Sequence, residues 1–326
     1  MSAVATAQPK TAAGGDTGGR SASAAKPSGQ DERPRKTTVR VASVQLALQS
    51  TSKPDAFFRR IAHHVRVAGE YGCDFVCFPE HLTLQLLSGD EPMTESAQTV
   101  DALTGFTDIW RSTLSDLAKR HSVNIIGGSH ATRLDDGSAR NVSFIAHRGG
   151  SVDVQAKIHP TPDERDVWGI IGGRVLEPID TDCGPIGVLI CYDSEFPELA
   201  RRLVDQNEIG LLFVPYCTDT RAGHLRVHYC CQARAIENQF HVVTSGLVGT
   251  LENVANLEMA YAQSTIMTPS DHGFARDGIA AQAEVQIEQM IFADLDLSAL
   301  EHARREGSVQ NLADRRDDLY GVQWRD

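Results

Sequence analysis

Ile186-Gly187-Val188-Leu189-Ile190-Cys191-Tyr192-Asp193-Ser194-Glu195-Phe196-Pro197-Glu198 is the stretch that organises this chain. The apolar run through Ile190 predicts a strand covered on both faces. The polar, proline-bearing stretch after it predicts a turn that opens a helix. Cys191 stands at that junction, at the mouth of a sheet. Two other strand ends also finish on ionisable residues: Phe75-Val76-Cys77-Phe78-Pro79-Glu80 and Val152-Asp153-Val154-Gln155-Ala156-Lys157. A thiol, a carboxylate and an ammonium, each at a strand end, are the parts of a cysteine hydrolase.

Outward from Cys191 the pattern alternates. Residues 39–46 read as a strand. Residues 54–71 read as a helix, with Phe58, Ile61, Val65 and Ala68 at helical spacing and Gly72 as its stop. Strand 74–78, helix 107–121 and strand 123–127 follow. Residues 140–148 and 151–157 form two strands joined at Gly149-Gly150, a hairpin signal. Strand 186–190, helix 196–205, strand 209–215, helix 222–237 and strand 240–245 continue the alternation, with last strands near 263–268 and 289–294. This predicts an α/β fold, a mixed sheet covered by helices.

One folded domain is expected over residues 38–300. Residues 1–37 consist of small, polar and charged side chains that cannot offset the entropy of ordering, so they are expected to be disordered. The charged residues 301–326 are expected to form an extension packed at a subunit interface.

The 326 residues are 41% hydrophobic and carry a net charge of −12. Six basic and three acidic side chains fall in residues 1–37, so the rest is more acidic still. An acidic body disfavours nucleic acid and acidic membrane surfaces as partners. No run approaches the roughly 20 apolar residues of a membrane span. No apolar signal segment opens the chain. Seven cysteines, an odd count in a long chain, argue against a disulfide framework. A reducing, cytoplasmic setting follows. Asn141-Val142-Ser143 matches a glycosylation acceptor, by chance in such a setting.

A lone cysteine is usually a small buried hydrophobe, and Cys73, Cys77, Cys183, Cys230 and Cys231 read so. Cys191 differs by position: a helix N-terminus there would lower the thiol pKa and offer N–H groups to an oxyanion. A partly buried Glu80 beside it would act as general base, its pKa raised toward neutrality. Lys157 would stay charged beside a carboxylate and stabilise the tetrahedral oxyanion. His224 and His228, at i,i+4, lack a third ligand, and no metal and no cofactor are expected.

Phe78-Pro79-Glu80, Lys157-Ile158-His159 with Pro162-Asp163-Glu164, and Cys191 through Glu198 resemble, in this order, the three signatures of the nitrilase superfamily of carbon–nitrogen hydrolases. The resemblance covers about residues 38–320 and includes Arg234-Ala235-Ile236-Glu237-Asn238-Gln239. It implies a four-layer α-β-β-α sandwich formed with a partner subunit, hence a homodimer or higher homo-oligomer. It implies Glu80 as general base, Lys157 as oxyanion stabiliser, Cys191 as nucleophile and the Tyr192 N–H as part of the oxyanion hole. Glu164 is the candidate second glutamate, seven residues from Lys157 where many members have eight. By analogy the pocket wall includes His81, His159, Tyr192, Tyr216 and Cys217.

Nitrilases of this superfamily tend to carry Cys-Trp-Glu. Cys191-Tyr192-Asp193 resembles the amidase, carbamoylase and ω-amidase branches instead. The implied activity is hydrolysis of a small amide or N-carbamoyl compound through a Cys191 thioester. The alternatives are a nitrilase and an inactive binding or regulatory module. An acyltransferase of the membrane branch would carry transmembrane helices.

Overall fold

Thr38–Ala47 forms β1, the longest strand of the computed structural model, which describes residues 36–51, 53–89, 98–207, 209–252, 254 and 257–325. The chain then runs through α1 (Pro54–Glu70), β2 (Phe75–Cys77), α2 (Thr99–Thr104), α3 (Thr107–His121), β3 (Asn124–Ile126), β4 (His130–Arg133), β5 (Ala139–Ala146), β6 (Val152–Ala156) and α4 (Pro162–Asp166). It continues with β7 (Ile179–Thr181), β8 (Gly184–Val188), α5 (Pro197–Gln206), β9 (Leu211–Tyr216), α6 (Arg221–Asn238), β10 (His241–Val248), β11 (Thr265–Met267), β12 (Ile279–Gln282), β13 (Gln289–Asp296) and α7 (Leu297–Glu306).

β1, β2 and β3 pair in parallel; β13 lies antiparallel on β1, and β5 joins β3, β4 and β6 in antiparallel fashion. In the second half β8, β9 and β10 pair in parallel, flanked by antiparallel β7 on one side and β11 and β12 on the other. The halves join where Leu46 and Ala47 of β1 meet Leu247 and Val248 of β10.

The alternation along β1 explains the layering, because successive side chains point to opposite faces. Val39 and Val41 pack with Phe75, Val188, Phe213 and Ile266 in a core between the two halves of the sheet. Ala42, Val44 and Leu46 face the other way, into the core made with Phe57 and Ile61 of α1 and Trp110 and Leu114 of α3. On the far side, Leu199 and Leu203 of α5 and Val227 and Ala235 of α6 cover β9 and β10. The result is a mixed α/β fold. The family resemblance attached this layering to a partner subunit. All three cores are instead made within one chain.

Several short elements were not anticipated: α2, β4, α4, β7, β12 and α7. All but α7 are too short for a periodic signal to rise above their neighbours, and α7 lies across the boundary placed at residue 300. The strand expected at 186–190 ends at Val188, because the backbone turns away after the Leu189 N–H bonds Phe213 O. The boundary placed at residue 300 falls inside α7. Beyond α7 the tail lies along its own chain: Arg315 pairs with Asp205 at 2.6 Å, and the Trp324 ring lies 4.3 Å from the Arg202 guanidinium. The expectation of disorder over residues 1–37 lies, up to residue 35, outside the described residues. Among those described, no helix is long and apolar enough to cross a membrane.

Candidate active site

Three loops bring the charged residues together at one end of the sheet. Glu80 follows β2. Its approach is fixed by Gly128 (φ +66°), where a Cβ would sit 1.9 Å from the Pro79 oxygen. Lys157 follows β6; its N–H donates to Asn141 O at 2.9 Å and its carbonyl accepts from Gly173 N at 2.7 Å. Glu164 lies in the first turn of α4, in a capping box with Thr161. Cys191 opens a 3₁₀ turn, Cys191–Glu195, with φ of 48°. That left-handed conformation costs a non-glycine residue about 1–2 kcal/mol, so the surroundings must hold it. Ser194 Oγ donates to Cys191 O at 2.7 Å, and Arg234 of α6 grips the far end of the turn, donating to Ser194 O and Glu195 O. Asp193 ties the same turn to the Lys157 loop: its carboxylate accepts from Ile158 N at 3.0 Å and from His159 N at 2.8 Å.

At the centre is one ammonium between two carboxylates. Lys157 Nζ donates to Glu80 Oε1 at 2.9 Å and to Glu164 Oε2 at 2.6 Å. Glu80 Oε2 accepts from Cys217 N at 2.9 Å. His81 Nε2 meets Glu164 Oε1 at 3.1 Å, and Asn141 Nδ2 donates to both Glu80 Oε1 and Glu164 Oε1. All of these side chains are buried. Burial works against the Lys157 charge, but Glu164, Glu80 and Cys191 together carry its pKa well above the ordinary lysine value. Burial likewise opposes the Glu164 charge, and the ammonium of Lys157 and the ring of His81 overcome it, holding the carboxyl far below the usual range. The donor atoms of Glu80, His81 and Glu164 lie within 4.8 Å of one another, as metal ligands do. Lys157 Nζ already serves both carboxylates as their cation.

The Cys191 thiol departs from expectation. Burial pushes it well above its ordinary value, and Glu80 adds to the rise, with Lys157 opposing. A five-residue 3₁₀ turn stands where a helix N-terminus was expected, and α5 starts only at Pro197. The resting side chain is therefore a thiol whose Sγ lies 3.7 Å from Cys217 O.

Over it opens a cavity of about 810 Å³, walled by Glu80, His81, Lys157, Glu164, Trp168, Cys191, Tyr192 and Cys217 among others. Two expected wall residues do not reach it. The His159 ring stacks on Phe196 at 3.7 Å and binds Asp193 through Nδ1. The Tyr216 hydroxyl is turned into the core, against His224 Nδ1 and Gln263 N. That contact also places His224 in a packed role, and burial lowers its pKa to about 4.

A family model described as carbon-nitrogen hydrolase matches residues 40–305. The chain belongs to the carbon–nitrogen hydrolases. It is 42% identical over 287 residues to the probable hydrolase YhcX of Bacillus subtilis, covering 88% of this chain and 55% of YhcX, so the chain spans about half of that relative. It is 30% identical over 217 residues to the omega-amidase NIT3 of Saccharomyces cerevisiae, covering 64% of this chain and 70% of NIT3. In fold it is similar to the crystal structure of Saccharomyces cerevisiae Nit3 (TM-score 0.70, 24% identity, 89% of this chain and 100% of that one). It is also similar to an amidase from Nesterenkonia sp. (TM-score 0.67, 19% identity, 86% and 94%).

In this hydrolase the structure brings Glu80, Lys157, Glu164 and Cys191 into one buried cluster. Sequence reasoning passed over Asn141, dismissed as a chance glycosylation match, and read Asp193 only as a branch marker. An asparagine inside a predicted strand, just ahead of Val142, Phe144 and Ile145, was the one available signal for the first.

Proposed function

We propose that this hydrolase cleaves a small amide or N-carbamoyl compound through a thioester on Cys191. The observation that carries this reading is the buried Glu80–Lys157–Glu164 cluster against the Cys191 thiol, at the floor of a cavity. Glu80 takes the thiol proton as sulfur attacks the carbonyl carbon, so proton transfer and attack go together. The Lys157 ammonium and the Tyr192 N–H receive the charge developing on oxygen. Glu80 returns the proton to the departing nitrogen, which leaves as ammonia or an amine. Glu80 then takes a proton from water as it attacks the thioester, releasing the acid and the thiol. Glu164 keeps Lys157 charged and in place throughout.

The outer cavity wall adds Asp163, Glu195, Asp219 and Glu258, and its basic group is Arg226, lying 3.7 Å from Glu195. Such a field favours neutral or cationic amides over carboxylate-bearing ones. All the cysteines are free thiols, which supports a cytoplasmic setting. Tyr229 and Ile236 are exposed on α6, which supports a homodimer across that helix.

The test is ammonia release from four-carbon amides bearing an amine, no charge or a carboxylate, and from the matched nitrile, with Cys191→Ala as control. Amide turnover that Cys191→Ala abolishes is the expected result. Turnover of the nitrile alone, or full activity in Cys191→Ala, would sink the reading.

A further inference from the structure

Asn141 sits on β5 at the centre of the charged cluster, 1% exposed. Its Nδ2 donates to Glu80 Oε1 at 3.1 Å and to Glu164 Oε1 at 2.7 Å. Its backbone carbonyl accepts the Lys157 N–H at 2.9 Å. One residue thus touches all three ionised members. The amide orientation is dictated by its neighbours, since the reverse would set Oδ1 against two carboxylates. Oδ1 itself has no partner among the described residues. A buried acceptor left unpaired is costly, and it persists here because the donor end is what the cluster needs.

Two carboxylates this close cannot both stay ionised without compensation. One ammonium serves the pair. The other donors facing them are Cys217 N from the loop after β9, Thr161 N ahead of α4, and the His81 ring after β2. The Cys191 thiol faces Glu80 from the 3₁₀ turn. The His81 Nε2 lies 3.1 Å from Glu164 Oε1 but 3.7 Å from Glu80 Oε1, so of the uncharged donors Asn141 is the one that hydrogen-bonds both carboxylates.

We propose that Asn141 is a positioning residue that keeps Glu80 and Glu164 ionised side by side, so that Glu80 is free to take the Cys191 proton. The proposal rests on the amide-hydrolysis reading for its rate consequences. In the step it serves, the S–H bond of Cys191 breaks and an O–H bond forms on Glu80. Negative charge passes to sulfur and then to the carbonyl oxygen, while Glu164 remains the ammonium's partner.

The test measures kcat and KM across pH for Asn141→Ala and Asn141→Asp. In parallel it follows the rate at which iodoacetamide alkylates Cys191. Losing the donor favours the protonated carboxylate, so a higher pH is needed to ionise the base. The acidic limb of both profiles should move up by about one pH unit in Asn141→Ala and further in Asn141→Asp. kcat should fall about 10- to 100-fold, as for supporting-shell losses elsewhere, with KM little changed. Wild-type limbs in both variants, with activity lost only in proportion to folded protein, would overturn the proposal. If Asn141→Asp does not fold, the Asn141→Ala profiles decide alone. A wild-type enzyme that hydrolyses no amide defeats the function reading but leaves the alkylation profile to judge Asn141.

Discussion

The two ends of β2 carry the same parts and put them to different use. Asp74 precedes the strand and Glu80 follows it, and both side chains are nearly buried. Each has a cation and a cysteine close by. Asp74 meets Lys36 and Arg148, and Arg148 Nη2 lies 3.6 Å from Cys183 Sγ. Glu80 meets Lys157, with Cys191 beside it. Thiol acidity does not separate them: burial pushes Cys183 up to about 12 and raises Cys191 well above its ordinary value too.

Charge balance does separate them. Two cations converge on Asp74; burial opposes its charge, but hydrogen bonds from Lys36 and Arg148 hold its pKa below the ordinary carboxylate value. At the other end one ammonium is shared by two carboxylates, and the cluster opens onto a cavity. A carboxylate saturated with cations is a structural tie. Glu80 shares its ammonium and stands beside a thiol at an open cavity, where a proton can be passed.

The sharpest way to break this contrast is to remove the thiols. Cys191→Ala should lower amide turnover by about 10⁴-fold or more, whereas Cys183→Ala should leave it unchanged, read as ammonia release. The ion pairs come next. Lys157→Met leaves two buried carboxylates without their partner and should cost about 3–5 kcal/mol of stability, together with the activity. Asp74→Asn should cost about 1–3 kcal/mol in denaturant melts while kcat holds. Equal kcat losses from both would erase the distinction between the two ends.

Acid acts on a different set of groups. Burial lowers His64, His224 and His241 to about 4 and His130 to about 3, from an ordinary 6.5. Below pH 6.5 the unfolded chain therefore binds protons that the folded chain refuses, so stability rises with pH between about 4 and 6.5. The melting temperature should fall steadily on acidification through that window, with net proton uptake on unfolding. Asp74 and Glu164, held below their ordinary values, stay ionised in the folded chain while their unfolded counterparts begin to take protons toward pH 4, so they steepen the same fall at the lower end of the window. A melting temperature flat from pH 6.5 to 4.5 would count against this account.

Chain order by itself determined the alternation of strands and helices and the placing of Glu80, Lys157 and Cys191 at strand ends. Those features rest on local periodicity, which needs no distant partner to be read. Tertiary structure decided the rest. Asn141 became the hub only because β5 lies beside the loop carrying a glutamate 61 residues earlier. His81 meets Glu164 across 83 residues. His159 and Tyr216 were turned from the cavity by a stacking ring and a buried histidine, contacts that no spacing announces. The turn that Cys191 opens is gripped by Arg234, 40 residues beyond the Ser194 carbonyl that accepts from it. Side-chain type and local pattern show which residues can do the chemistry. Which of them do it together depends on contacts between residues far apart in the chain, because charge and hydrogen bonding act over a few ångströms of space rather than along the sequence.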